Sequence, residues 1–187
     1  MKSEKYAVPY IIARFFRVYL PGERGYSETT IASYRDTFKQ FLQYCQNSLG
    51  KQPEKLMISD FSRELVVGFL SQLENEGKSV STRNQRLAAI KCFFTYIQYE
   101  FLDYLDISSS ITSIRMKKQP EATVSYMSVD GVACVLRQPD MHTKSGYRDS
   151  LLLTLMYDSG ARVSEMTGVR IGDIRTDTPA TLVLHGK

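Results

Sequence analysis

The chain has 187 residues, of which 43% are hydrophobic and 24% are charged, and its formal net charge is +4. This length suits one ordinary domain or two small ones, and this apolar fraction excludes a disordered polar chain. No apolar run approaches the roughly 18 residues of a membrane span, and residues 1–10 lack the apolar stretch of a secretory signal. We therefore expect a cytoplasmic, folded protein that has no membrane partner.

The cysteines and histidines are few and far apart. Three cysteines, an odd number without a C-x-x-C pair, argue against a disulfide framework or a zinc site. Neither of the two histidines has a partner three or four residues away, which argues against a metal site. The sequence also has no phosphate-binding G-x-x-x-x-G-K-[ST] loop. We expect neither a metal nor a nucleotide cofactor.

The front part of the chain has the pattern of a bundle of helices. Residues 10–16 predict a first helix that is stopped at Pro21. The second, third and fourth helices are expected to begin after Ser27, Ser62 and Ser81, each with apolar side chains at helical spacing. A helical front domain follows from this pattern.

The fourth helix carries polar and basic side chains on the surface opposite its apolar stripe. Solvation of an ordinary charged helix face is one explanation, and contact with a polyanion is the other. The basic excess of the whole chain lies in residues 1–117, because residues 118–187 hold equal numbers of acidic and basic side chains. The side chains on this surface are Thr82, Arg83, Asn84, Arg86 and Lys91.

Residues 107–124 break the helical pattern and end in basic residues that include Lys117 and Lys118, so they predict a linker between two domains. After it, Ser128 is expected to cap a short helix. An apolar helix over 147–157 follows, on which Tyr157 is expected to lie in the core.

The final part of the chain predicts the first strand of a sheet but none of its other strands. A short helix is expected over 163–169, and 181–185 is the one convincing strand. A single strand without a partner is a poor way to complete a domain. We therefore expect the second domain to be incomplete.

The segment around Arg162 carries the clearest chemical signal. Gly160 is expected to end one helix and let the chain turn into the next, which places Arg162 near a helix N-terminus, where an anion is favoured. The guanidinium adds a fork that suits two phosphate oxygens. Glu165 can support Arg162 from the same turn. The alternative is an ordinary surface ion pair beside a glycine cap.

Three stretches together resemble the tyrosine recombinases, the phage integrase family. SGARVSEM followed by VRIGDI is similar to the first arginine motif of that family. SETTIASYRDTFKQFLQYC is similar to the first long helix of its core-binding domain, and SVSTRNQRLAAIKCFFTYI is similar to its DNA-facing helix. The resemblance spans nearly the whole chain.

The resemblance implies a mainly α fold in two parts. Residues 1–106 would be a four-helix, SAM-like core-binding domain that binds DNA, and 107–124 a basic linker. Residues 125–187 would be the first helices and first strand of an α+β catalytic domain.

The resemblance also implies a function in DNA recombination and DNA integration, as in mobile elements. The parent enzyme would break and rejoin double-stranded DNA through a 3′-phosphotyrosine, without a cofactor. Arg162 would clamp the scissile phosphate with support from Glu165, and Lys187 would protonate the leaving 5′-oxygen as a general acid. The DNA-binding residues would be Thr82, Arg83, Asn84, Arg86, Lys91, Lys117 and Lys118.

The departures from the family pattern concern the other catalytic residues. The remaining catalytic groups and the nucleophilic tyrosine of the family follow the strand that leads to Lys187, whereas all 12 tyrosines of this chain precede Lys187. We therefore expect a C-terminally truncated recombinase that binds DNA without cleaving it. It would be a monomer by itself, whereas its parent would form tetramers on DNA.

Two alternatives belong to other functional classes. One is a non-enzymatic DNA-binding module derived from a recombinase, which would bind a site or compete with an active partner. The other is a helical protein–protein scaffold, which would leave the arginine motif and the final Gly-Lys unexplained.

Overall fold

The structure is a computed structural model that describes residues 7–119 and 125–186. The chain divides into two compact units, Met1–Glu121 and Ala122–Lys187. Within the described ranges, no helix combines the length and the apolar character needed to cross a membrane.

The helices and strands follow one another in the order of the chain. The α-helices are α1 (Val8–Arg14), α2 (Glu28–Leu49), α3 (Arg63–Asn75), α4 (Val80–Glu100), α5 (Leu105–Thr112), α6 (Val129–Leu136), α7 (Lys144–Ser159) and α8 (Val163–Thr167). A π-helix (Phe15–Glu23) follows α1, and the strands are β1 (Ile174–Arg175) and β2 (Thr181–Leu182). The 3₁₀ turns are Pro53–Lys55, Ile58–Asp60, Leu102–Tyr104 and Ile171–Asp173.

The first helix does not stop at Pro21, so that prediction is wrong. It continues as the π-helix, which contains Pro21 and buries four large side chains. A proline crowds the carbonyl four residues before it, and the wider π-turn relieves this crowding. Burial in the core keeps the segment helical. The buried side chains are Phe15, Phe16, Tyr19 and Leu20.

Local capping sets the starts of the next helices. The Ser27 hydroxyl accepts from the Thr30 amide at 3.4 Å before α2, and the Ser62 hydroxyl caps α3 in the same way. Both predictions are confirmed. The predicted start of α4 after Ser81 is wrong by two residues, because Ser79 accepts from the Thr82 amide at 3.2 Å.

The core of the first unit centres on α4. This helix packs against α2, α3 and α5, so it is buried around much of its circumference. Phe15 stacks edge-on against Phe93 with ring centroids 5.2 Å apart, and Phe38 lies 5.1 Å from the same ring. Such aromatic contacts add to the free energy gained by burying apolar area.

The first unit continues beyond residue 106, which differs from the predicted linker over 107–124. Residues 107–112 belong to α5, and both Ile111 and Ile114 are buried in the core of this unit. The boundary between the two compact units lies after Glu121. Helix α5 is hard to predict from its serine-rich sequence, because it has few apolar residues. Its stability comes from packing against α4.

Over residues 125–186, the described part of the second unit, the chain forms three helices and a two-stranded antiparallel sheet. Ser128 caps α6 as predicted, and Gly160 ends α7 with a φ of 65°. The strand is shorter than predicted, and it has a partner, because Leu182 pairs with Ile174. Tyr157 is 58% exposed, so its predicted place in the core is wrong. Among residues 125–186, Met166 is the one buried large apolar side chain.

Candidate functional site

Arg162 and Glu165 form the chemical centre of the second unit. Arg162 is the N-cap residue of α8, and Glu165 is the third residue of that helix. One carboxylate oxygen, Oε2, accepts the Arg162 backbone N–H at 2.9 Å, and the other, Oε1, accepts from guanidinium Nη1 at 2.8 Å. The predicted support of Arg162 by Glu165 therefore rests on two hydrogen bonds.

The two side chains differ in exposure. The Glu165 side chain is 15% exposed, whereas that of Arg162 is 80% exposed. The backbone hydrogen bond from Arg162, followed by the one from its guanidinium, lowers the pKa of Glu165 below its usual range. A guanidinium carries five N–H donors, so one anchored nitrogen leaves most of them directed to solvent. The arrangement presents a fixed cation to an open cleft.

The cleft in front of Arg162 is also bounded by the segment that follows β2. Its lining residues include Ser164, His185 and Gly186. Imidazole Nε2 of His185 lies 2.9 Å from Oδ1 of Asp173, whose other oxygen accepts the Arg170 backbone N–H at 2.8 Å. The His185 hydrogen bond, followed by the Arg170 backbone hydrogen bond, lowers the pKa of Asp173. This pairing connects the segment that follows β2 to the turn Ile171–Asp173.

The pairing of Asp173 with His185 was missed from the sequence. Asp173 lies within the VRIGDI motif, and His185 is the last residue of the predicted strand over 181–185. Their contact depends on the pairing of β1 with β2, and β1 is too short to give an alternating pattern. The one available signal is that a strand over 181–185 needs a hairpin partner, which the residues just before it can supply.

Lys187 lies outside the described residues. The residue before it, Gly186, lies beside Glu165, because a Cβ at Gly186 would be 3.6 Å from Glu165 Oε1. The backbone that leads to Lys187 therefore passes along the carboxylate that holds Arg162.

In the first unit, the predicted exposure of Arg83 and Asn84 is wrong. Both residues are buried, with exposed fractions of 7% and 9%. Arg83 Nε contacts Oε1 of Glu74 at 2.9 Å, and the Asn84 amide bonds to the backbone of Lys117. Arg83 therefore faces α3 and Asn84 faces the chain that follows α5, because α4 is surrounded by other elements.

Arg86 and Lys91 are also engaged within the first unit. Arg86 Nη1 donates to the Ser33 carbonyl at 3.2 Å and to the Thr37 hydroxyl at 2.9 Å, and Nη2 pairs with Asp36. Lys91 Nζ donates to the Ile114 carbonyl at 3.0 Å. Arg86 thus joins α4 to α2.

The other predicted DNA contacts are more accessible. Thr82 is half-buried in the first turn of α4, where its hydroxyl lies 3.0 Å from that of Ser79. The Lys117 side chain is 52% exposed and pairs with Glu74 at 2.7 Å. Lys118 is exposed. The predicted contacts therefore do not form one exposed surface.

Among the described residues, no group of three or more His, Cys, Asp or Glu side chains is arranged to hold a metal ion. The Arg162 cleft instead offers hydrogen-bond donors and positive charge, which suit an oxyanion.

Comparison with known proteins relates both units to one group of enzymes. Residues 12–100 match the family model described as phage integrase, N-terminal SAM-like domain. An integrase/recombinase of Sinorhizobium fredii, y4rC, is 36% identical over 178 residues, which are 95% of this chain and 54% of the relative. Tyrosine recombinase XerD of Oceanobacillus iheyensis is 31% identical over 166 residues, covering 88% of this chain and 52% of the relative.

A solved structure shows the same fold. The XerH site-specific recombinase, bound to its palindromic difH substrate in a post-cleavage complex, superposes with a TM-score of 0.63 over 88% of this chain and 48% of that chain. The sequence identity is 21%. The chain spans about half the length of the relatives that it matches.

Proposed function

The chain belongs to the tyrosine recombinase, or phage integrase, family, and we propose that it supplies the DNA-binding and phosphate-holding part of a site-specific recombinase or integrase. The whole enzyme would break and rejoin DNA through a 3′-phosphotyrosine. The observation that carries this proposal is the exposed guanidinium of Arg162, which Glu165 fixes from one side.

Arg162 would act on the scissile phosphate. The free donors of its guanidinium suit the two non-bridging oxygens of a phosphodiester. Negative charge develops on these oxygens in the five-coordinate transition state, and a fixed donor stabilises that charge without reorganisation. Loss of one such donor typically lowers the rate by about 10²–10³. Glu165 supplies the fixed geometry.

Lys187 would be the general acid for the leaving 5′-oxygen, by its match to the family motif. This role requires that its ammonium reach the phosphate that Arg162 holds. The position of Gly186 beside Glu165 supports the assignment, since Lys187 follows it directly.

The polypeptide of residues 1–187 would bind DNA without cleaving it. The family motif places the nucleophile after the strand that leads to Lys187, and all 12 tyrosines precede Lys187. Incubation with a suicide DNA substrate, followed by denaturing electrophoresis, should give no covalent adduct. A protein–DNA adduct that survives denaturation would refute this part of the proposal.

On the first unit, we propose DNA contacts through Thr82, Lys117 and Lys118. Their partial or full exposure supports this choice, whereas Arg83 and Asn84 are buried. Such contacts go mostly to phosphates and position the protein without specifying the sequence. Tetramers on DNA would be a property of the whole enzyme, and light scattering should find this chain monomeric.

Fluorescence anisotropy with a labelled duplex tests the proposed DNA binding. Affinity should fall steeply as salt rises, and Arg162→Ala should reduce the slope of log K against log salt by about 0.9, the value for one lost phosphate contact. Arg148→Ala is the matched control, because Arg148 is an exposed arginine of the same unit that pairs with Asp149. No binding at low salt would favour the scaffold alternative, and equal effects of the two variants would remove Arg162 from the interface.

A further inference from the structure

The chain that leaves α5 is held against α4 by side chains of that helix. Lys91 donates to the Ile114 carbonyl at 3.0 Å, and Asn84 bonds to both backbone groups of Lys117. Residues 114–117, called the strap here, therefore run back along α4 towards its N-terminus. Between the two anchors, Met116 lines a small cleft together with Ala88 of α4.

The Asn84 amide fits the backbone of Lys117 in one orientation. Its Nδ2 donates to the Lys117 carbonyl at 2.8 Å, and its Oδ1 accepts the Lys117 N–H at 3.0 Å. The same Oδ1 accepts from Arg83 Nη1 at 3.2 Å. A flipped amide would direct its NH₂ group at two donors, so the neighbours fix the orientation. Asn84 thus binds Lys117 as an adjacent strand would.

A charged group holds the side chain of the same residue. Lys117 Nζ lies 2.7 Å from Glu74 Oε1, and Arg83 Nε contacts that oxygen at 2.9 Å. The hydrogen bond from Lys117 lowers the pKa of Glu74 below its usual range, although burial of the carboxylate acts in the opposite direction. The charge of Arg83 also lowers this pKa. The buried Arg83 guanidinium therefore has a carboxylate partner, and Lys117 is bound through both its backbone and its side chain.

We propose that Asn84, together with Lys91, is a positioning residue that clamps the strap to α4 and so fixes the point at which the polypeptide leaves the first unit. Both anchors bind backbone atoms of the strap, so they hold its path and not a particular side chain. This assigns to Asn84 a role within the protein in place of the predicted contact with DNA. The clamp itself does not depend on the proposed DNA binding.

The clamp limits the reach of the chain between the units. At about 3.5 Å per residue, the stretch from Lys117 to Ser128 extends at most about 40 Å, whatever its conformation. Without the clamp, a chain released from the end of α5 at Thr112 would extend at most about 55 Å to the same point. If both units bind one DNA, as the proposed function holds, the shorter tether raises the effective concentration of the second unit at its site.

Hydrogen exchange and limited trypsin digestion of the whole chain test the clamp without DNA. The strap region contains three tryptic sites, at Arg115, Lys117 and Lys118. Asn84→Ala should raise the exchange rate of the Lys117 amide, and the rate of cleavage at these sites, by at least about tenfold, since two hydrogen bonds are lost. Gln85→Ala is the control, because Gln85 is exposed and its amide bonds to Ser33 on α2.

A second variant tests the clamp in case Asn84→Ala unfolds the whole first unit. Lys117→Pro removes the N–H that Asn84 accepts, at an exposed position outside the helices. It should open the strap while the amides in the middle of α2 and α4 keep their protection. The proposal is wrong if the strap of Asn84→Ala behaves as in Gln85→Ala. It is also wrong if the strap opens in these variants only together with α2 and α4.

Discussion

Glu165 binds Arg162 twice, at its backbone N–H through Oε2 and at its guanidinium through Oε1. The Glu165 carboxylate therefore both caps the first turn of α8 and orients the guanidinium of Arg162. Because the guanidinium is anchored at one nitrogen and is otherwise exposed, its direction depends on Glu165 more than on packing. This dependence makes the pair testable apart from the rest of the second unit.

Replacement of Glu165 should weaken DNA binding through Arg162. Glu165→Gln keeps the length of the side chain but removes the charge that orients the guanidinium, so affinity in low salt should fall by roughly threefold to tenfold. Fluorescence anisotropy measures this change. Asp149→Asn is the control, since it removes an exposed partner of Arg148 in the same unit. An affinity equal to that of the control would mean that Arg162 needs no orientation.

The stability of the second unit should fall in acid. The pKa of Glu165 is lower in the folded chain than its unfolded value of about 4.3, so its contribution is present above that value. It is lost as the pH falls through the lower, folded pKa. Asp173 acts in the same direction, because its pKa is also lowered.

Hydrogen exchange of α7 and α8 between pH 6 and pH 3, corrected for the intrinsic exchange rate, measures this loss. Glu165→Gln should show a smaller decrease in protection than the unaltered chain, and some decrease should remain from Asp173. If protection is the same at pH 3 and pH 6, these carboxylates do not contribute to stability.

Arg86→Ala should destabilise the first unit by about 1–3 kcal/mol. Arg86 is largely buried and donates to Ser33 and Thr37 while it pairs with Asp36, so its removal leaves acceptors on α2 without their donor. Urea unfolding followed by far-UV circular dichroism measures the change. Gln85→Ala should stay within about 0.5 kcal/mol of the unaltered chain. Arg86→Lys should lie between the two, because a lysine cannot reproduce the fork.

Gly146→Ala should destabilise the second unit despite the helix propensity of alanine. Gly146 is buried in the first turn of α7, and a Cβ there would overlap the backbone of Asp140. Overpacking against backbone costs about 1–3 kcal/mol, which exceeds the roughly 1 kcal/mol that alanine gains over glycine in a helix. Exchange rates of the α7 amides report the change. Gly172→Ala, where a Cβ would meet no atom within 4 Å, should have little effect.

The features that the sequence by itself determined are those that depend on residues close together in the chain. Ser27 and Ser62 cap the helices that follow them, and Gly160 ends α7, because each acts through hydrogen bonds or backbone freedom within a few residues. Arg162 and Glu165 are three residues apart in the chain, so their pairing was equally local. The first arginine motif could be identified from the sequence for the same reason.

Only the tertiary structure decided which polar side chains face inwards. Helical spacing separated the polar face of α4 from its apolar stripe, but it did not say that Asn84 binds Lys117 33 residues later, or that Arg86 binds residues about 50 positions earlier. The pairing of Asp173 with His185 likewise required two short strands to meet. The sequence does not show whether a cationic side chain is solvated by water or by a carbonyl distant in the chain. The elements that pack around the side chain determine which of the two it contacts.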